Sequence, residues 1–200
     1  MQRFRVFFSS VLVLMHIAIA GCNKPSLNER LYQSARDGDI QIVKDCLDNN
    51  ADPLYQHFLK HSDNNEAVET PFHAACRGGH TEIVQEFLDI GVDPNTNDVR
   101  GISSVAIAIN ASPLVNEEKT LAVVKGLVMA GADRKEQGAR DPFCIAVTLQ
   151  RYSVAQYLIE AGFSVEEEVN GETALEKMIK HFPSSPEQVQ FAGLILERMP

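Results

Sequence analysis

The chain has 200 residues, 44% of them hydrophobic and 22% charged, which supplies one ordinary core or at most two small domains and argues against disorder. Its 18 Lys and Arg against 27 Asp and Glu give a formal charge of −9, which opposes a nucleic-acid backbone, since that needs a clustered basic face. Trp is absent and aromatics are 7%, a poor supply for a stacking platform.

Arg3 and Arg5 open the chain as a short positive segment, and Val6 to Ala20 follows as an apolar stretch broken by Ser9, Ser10 and His16. The stretch is shorter than the roughly 20 apolar residues that span a bilayer and ends in small residues, which is the pattern of a cleavable secretory signal. Ile19-Ala20-Gly21-Cys22 resembles the bacterial lipobox: an aliphatic residue, two small residues and an obligatory Cys. That resemblance implies that residues 1–21 are a lipoprotein signal peptide and that the Cys22 thiol takes a diacylglyceryl group before cleavage. It implies acylation of the new amino terminus, with residues 22–26 as a short tether, and so a membrane contact through lipid. Two or three acyl chains, at about 0.8 kcal/mol per buried CH₂, anchor stably where one is marginal. Loss of the leader removes two arginines and makes the mature chain more acidic. Asn23 is not the Asp that retains such lipoproteins at an inner membrane; in a two-membrane envelope this implies the outer membrane, facing the periplasm.

Beyond the leader, Ser26-x-x-Glu29 reads as a capping box that starts a first helix. Thr70-Pro71 and Asp141-Pro142 read as an N-cap followed by Pro at the first helical position, and Ser103-Ser104 and Thr173-Ala174 fill the same place. Glu176 completes a capping box with Thr173, and Ser185-Pro186-Glu187-Gln188 starts a last helix. Small residues follow several of these starts, at Ala74, Ala75, Ala106, Ala108 and Ala146, and let helices approach closely. Then come stripes at i, i+1, i+4 and i+5: Ile42-Val43 with Cys46-Leu47, Ile83-Val84 with Phe87-Leu88, Val123-Val124 with Leu127-Val128, and Val154-Ala155 with Leu158-Ile159. The stripes end alike, at Asn50-Ala51-Asp52-Pro53, Gly91-Val92-Asp93-Pro94, Gly131-Ala132-Asp133 and, more weakly, Gly162-Phe163-Ser164. A left-handed cap there stops each helix, and Asp-Pro cannot continue it.

Thr70-Pro71-Phe72-His73-x-Ala75, followed by Gly79-His80-x-Glu82-Ile83-Val84 and Gly91-x-Asp93-Pro94-Asn95, resembles the ankyrin repeat almost residue for residue. The resemblance implies an all-α solenoid of about five helix-turn-helix repeats with short fingers over residues 27–200. The repeats fall at approximately 27–69, 70–102, 103–140, 141–172 and 173–200. Matching the residue that starts each first helix gives Leu31, Phe72, Val105, Phe143 and Leu175, at spacings of 41, 33, 38 and 32 against a family unit of about 33. The long spacings predict an irregular insertion at Leu54 to Glu69 and another at Ala111 to Glu118. Terminal repeats are expected to turn a polar face outward, with Phe191, Leu194 and Ile195 of the last helix inward.

Little chemistry competes with this reading. His73 and His80 stand where ankyrin repeats carry His to tie turn to backbone, and Cys76 has no fourth ligand in view, so no metal or other cofactor is expected. His57 and His61 are i, i+4 but lie in the insertion. Cys46, Cys76 and Cys144 are an odd number; Cys46 and Cys144 read as small buried apolar residues, and at most one pair closes. There is no Gly-x-Ser-x-Gly, Walker loop or His-Glu-x-x-His, so an enzyme is not expected, nor is a small-molecule substrate.

The resemblance implies a protein partner on the concave face of fingers and first helices. Contact candidates are Asn95, Asn97, Arg100, Arg134, Glu136, Arg140, Glu166 and Glu168. Tyr55 and Phe58, in the apolar run Leu54 to Leu59, are either binding anchors, packing against the second repeat, or a membrane contact. The acidic composition points to a basic partner. Two roles fit: an envelope scaffold or inhibitor, including an immunity protein against a periplasm-delivered toxin, or a structural accessory of an envelope enzyme.

Overall fold

The computed structural model describes residues 25–60, 66–111, 114–133, 141–166, 168, 171–181 and 185–197. Residues 1–21, Cys22, His61, Arg134, Glu136 and Arg140 lie outside them. Among the described residues ten helices and two strands follow in order: α1 (Leu27–Asp37), α2 (Ile40–Asp48), β1 (His57–Lys60), β2 (Glu66–Glu69), α3 (Pro71–Gly78), α4 (Thr81–Asp89), α5 (Ser104–Ile109), α6 (Glu117–Met129), α7 (Pro142–Thr148), α8 (Tyr152–Glu160), α9 (Ala174–His181) and α10 (Pro186–Leu196).

The helices pair as α1/α2 through α9/α10 and stack in two rows, the odd-numbered helices forming one and α2, α4, α6 and α8 the other. This is an all-α solenoid of stacked helix pairs. Local chemistry sets each start. The side chains of Ser26, Thr70, Ser103, Asp141 and Ser185 each accept the backbone N–H three residues on, which satisfies one orphan donor of the first turn. Thr173 and Glu176 cap each other reciprocally, as do Ser185 and Gln188. The box expected at Ser26 is only half formed: Ser26 accepts from Glu29 N–H, while the Glu29 carboxylate turns away to His57, 3.3 Å distant. Helix α8 has no side-chain cap of its own; Glu117 of the preceding repeat accepts Ser153 N–H at 2.7 Å and does that work across the interface.

The stripes and small residues meet in one continuous core. Phe72, Phe87 and Phe143 fill it, with the Phe72 and Phe87 rings edge to face at 6.0 Å. Ala75, Ala106, Ala108 and Ala146 are fully buried where helices touch. Cys46, Cys76 and Cys144 are buried and form no disulfide with one another, and burial pushes the Cys46 and Cys76 groups up from the ordinary thiol value. At the carboxyl end Phe191 and Ile195 are buried as expected, but α10 also exposes Val189 and Leu196, so the cap is less polar than its helix start suggests.

The insertion expected to be irregular is not. β1 and β2 form an antiparallel hairpin with His57 opposite Glu69 and Phe58 opposite Val68. Alternation decides which residues dock: His57 and Glu69 point to the solenoid, while Phe58 points away and is 58% exposed. Among the described residues no helix is long and apolar enough to cross a membrane.

Candidate interaction surface

The hairpin is fastened by a polar cluster whose members come from the first two repeats. The His57 ring stacks on Tyr32 of α1, centroids 3.9 Å apart and planes within 17°. The buried Tyr32 hydroxyl donates to Glu69 Oε2 at 3.1 Å, and Arg77 Nε of α3 donates to Glu69 Oε1 at 2.6 Å. Burial, and then the Glu69 carboxylate, raises the Tyr32 hydroxyl well above its ordinary value, so it remains a donor at any physiological pH. Every atom of the cluster that leaves water thus finds a partner, which burial of polar groups requires.

A second cluster shapes the finger between α4 and α5. Asp98, whose side chain is 3% exposed, accepts from the backbone N–H groups of Arg100 and Ile102 and from Nε and Nη2 of Arg100. Burial alone pushes its carboxyl up, but the Ile102 N–H and the Arg100 guanidinium outweigh this and hold it below the usual carboxylate range. His73 crosses the same finger. Its Nε2–H donates to Thr96 C=O at 3.1 Å, and its Nδ1 accepts from the Thr70 hydroxyl at 3.0 Å. His80 donates from Nε2 to Arg36 C=O at 2.9 Å across the first repeat interface. Both ring nitrogens of His73 are therefore committed to the fold.

The first-row helices, with this finger, enclose a cavity of about 380 Å³ that spans four repeats. Its apolar lining includes Ile102, Ala106, Ile107, Ile145 and Leu149. Its cations are Arg77 of α3, Arg100 of the finger and Lys177 of α9, and among the described residues no carboxylate lines it. The acidic groove expected from composition does not hold here: Glu69 and Asp98 stand behind Arg77 and Arg100 with side chains only 11% and 3% exposed, whereas the arginines are 37% and 59% exposed. A basic partner has no physical warrant at this cavity.

The sequence-derived candidates separate accordingly. Arg100 lines the cavity, although it is also the clasp of Asp98. Asn97 is exposed and bridges to Ser103 beside the start of α5. Asn95 ties consecutive fingers together, accepting Asp133 N–H at 2.6 Å and donating to Gly131 C=O. Tyr55 is half-buried and Phe58 exposed, so packing on the second repeat does not describe Phe58. Glu166 and Glu168 are exposed in the finger before α9.

Arg77, Lys177, Ile145 and Leu149 were missed, yet the repeat register could have found them. Ile107, Ile145 and Lys177 stand two residues after the start residues Val105, Phe143 and Leu175; Arg77, Asn110 and Thr148 stand five after Phe72, Val105 and Phe143. These positions face the cavity in successive repeats.

Residues 31–116 match the family model for ankyrin repeats (3 copies). Over 81 residues the chain is 37% identical to the E3 ubiquitin-protein ligase XBAT32 of Arabidopsis thaliana, and 36% identical to the probable E3 ubiquitin-protein ligase XBOS32 of Oryza sativa subsp. japonica. Each match covers 40% of this chain and only 14% and 15% of the respective plant protein. Residues 31–116 are thus ankyrin repeats, and the helix pairs beyond them continue the same solenoid.

Proposed function

We propose that this chain is a lipid-anchored envelope protein that holds a protein partner on its first-row face. Ankyrin repeats generally mediate protein–protein interaction and are typically non-catalytic. The matched segment is a small part of the plant ligases, so their printed activity gives no reason to assign ubiquitin transfer here. The observation that carries the reading is the cavity: apolar and cationic side chains from four repeats converge on a space that the fold itself leaves unfilled. The docked hairpin stands at the Arg77 end of that cavity and presents Phe58 as an exposed apolar contact. Tyr55 and Phe58 are the proposed anchors, with Asn97, Glu166 and Glu168 at the rim.

Cys22 and the lipobox support the anchor, and Asn23-Lys24-Pro25 leave about 10 Å of extended chain between the lipidated Cys and the cap of α1. Cys22→Ser is expected to leave an unprocessed precursor that incorporates no palmitate; equal labelling of the variant removes the lipoprotein assignment. For the surface, a photo-crosslinking residue in place of Leu149 is expected to capture a discrete protein from membranes, and one in place of Ile90, on the second row, is not. Equal capture from both positions removes the assignment of the first-row face. A scaffold or inhibitor, an immunity protein among them, predicts a partner that is inactivated or held when bound. A structural accessory predicts an envelope enzyme that loses stability, not activity per molecule, when the chain is absent.

A further inference from the structure

The proposed surface has a chemical preference that composition hides. The chain carries −9, yet the side chains that line the cavity among the described residues are uncharged or cationic. Lys177 is half-buried in α9 and has no carboxylate partner among the described residues, whereas its neighbour Lys180 is paired with Glu172. Arg77 donates only its Nε to Glu69, so both terminal nitrogens are left without an acceptor among the described residues. Arg100 is set by three contacts to Asp98, one from its backbone N–H and two from its guanidinium. Two buried carboxylates thus fix the positions of two arginines, both of which line the cavity. A guanidinium held in this manner loses little entropy when a second acceptor arrives. Between the cations lie Ile102, Ile107, Ile145 and Leu149, of which Leu149 is 43% exposed.

We infer that the cavity seats an acidic segment of the partner protein, with Arg77, Arg100 and Lys177 receiving carboxylates and the isoleucine–leucine floor receiving the aliphatic side chains next to them. Charge complementarity identifies the occupant: with Glu69 and Asp98 consumed by the hydrogen bonds above, an incoming base finds no carboxylate in the lining among the described residues, and an incoming acid meets cations from three elements. The apolar floor is what separates an acidic peptide from a bare anion, which gains nothing from Ile145 or Leu149. The net charge adds selectivity, because a strongly acidic partner is repelled at long range and only a short acidic segment reaching the cavity is rewarded.

This inference rests on the first-row face being the binding face, and the test separates the two. A library of random peptides displayed on phage is selected against the full-length chain in detergent, then against its Lys177→Glu and Leu149→Ser variants. Lys177 has no ion pair among the described residues, so the first variant is expected to melt as the parent does. Enrichment of Asp or Glu next to aliphatic residues is expected, with affinity falling about tenfold or more in Lys177→Glu and severalfold in Leu149→Ser. Enriched peptides that are basic or uncharged, yet still sensitive to Leu149→Ser, overturn the acidic assignment and leave the face intact. Peptides insensitive to both variants, or no enrichment, overturn both. Vesicles of phosphatidylglycerol in phosphatidylcholine provide the last arm: Lys177-dependent binding to these without acidic-peptide enrichment assigns the cations to a membrane surface and overturns the inference.

Discussion

The hairpin's attachment can be tested through one carboxylate. Glu69 accepts the buried Tyr32 hydroxyl on one oxygen and Arg77 Nε on the other. Glu69→Ala removes both acceptors. Tyr32 is fully buried, so its hydroxyl would be left unpaired away from water, which costs about 1–3 kcal/mol. Arg77 is 37% exposed and is re-solvated in part, so its loss adds no more than about 1 kcal/mol. The expected total is about 3 kcal/mol, a fall of roughly 6–12 °C in Tm for a domain of this size. Tyr32→Phe keeps the ring that stacks on His57 and removes only the donor, with an expected cost of about 1.5 kcal/mol. The double variant should then lose about 3 kcal/mol, not 4.5, because the orphaned hydroxyl is gone. Urea unfolding of the four proteins gives the coupling directly. If the two single losses add to within about 0.5 kcal/mol, the hydroxyl and carboxylate act independently and the hairpin is not held by this bond.

Three further outcomes follow from the same geometry. Burial holds the His73 imidazole below its ordinary value of 6.5, so the unfolded chain binds a proton there that the folded chain does not; stability contributed by the neutral ring is present above pH 6.5 and is lost as pH falls toward the folded value. Thermal melts from pH 8 to pH 5 should fall less steeply for His73→Gln than for the parent, and an unchanged slope contradicts the assignment. Gly38 has φ +87° and a Cβ there would lie 2.5 Å from His80 Cε1, while Gly131 has φ +99° and nothing within 4 Å; Gly38→Ala should therefore destabilise by about 2 kcal/mol more than Gly131→Ala in urea melts. Glu117→Gln weakens the cap that α8 borrows from the preceding repeat, and a loss of about 1 kcal/mol is expected, with amide exchange fastest at Ser153 and Val154.

Most of the fold was written locally. An N-cap, a Pro at the first turn, a stripe at helical period and a left-handed stop each act within a few residues, so Thr70, Pro71, Phe87 and Gly91 could be read without knowing their neighbours. The hairpin could not. Leu54 to Leu59 looked like an apolar run, but alternation sorts it, and what selects strand over loop is the reception that Tyr32 and Arg77 give to His57 and Glu69. Tyr32 is separated from the insertion by the whole of α2, and Arg77 stands near the far end of the helix that follows it. Glu29 shows the same limit from the other side: its spacing from Ser26 promised a capping box, and a long-range histidine took the carboxylate instead.

The sign of the groove was lost for a related reason. Net charge is a sum over the surface and is blind to which carboxylates face inward. Here Asp98 and Glu69 are withdrawn from the face by bonds to backbone and to Tyr32, and each withdrawal fixes an arginine at the rim. An acidic solenoid can therefore present a cationic groove without any basic cluster in its sequence, because a repeat lattice gathers residues one unit apart. Arg77 and Lys177 are 100 positions apart and line one cavity. The informative quantity in such a chain is charge counted over the register positions that face one surface. Exchanging Lys177 for Glu alters that count by two in a space of about 380 Å³ and barely alters the whole, which is why partner choice should follow the register and solubility the sum.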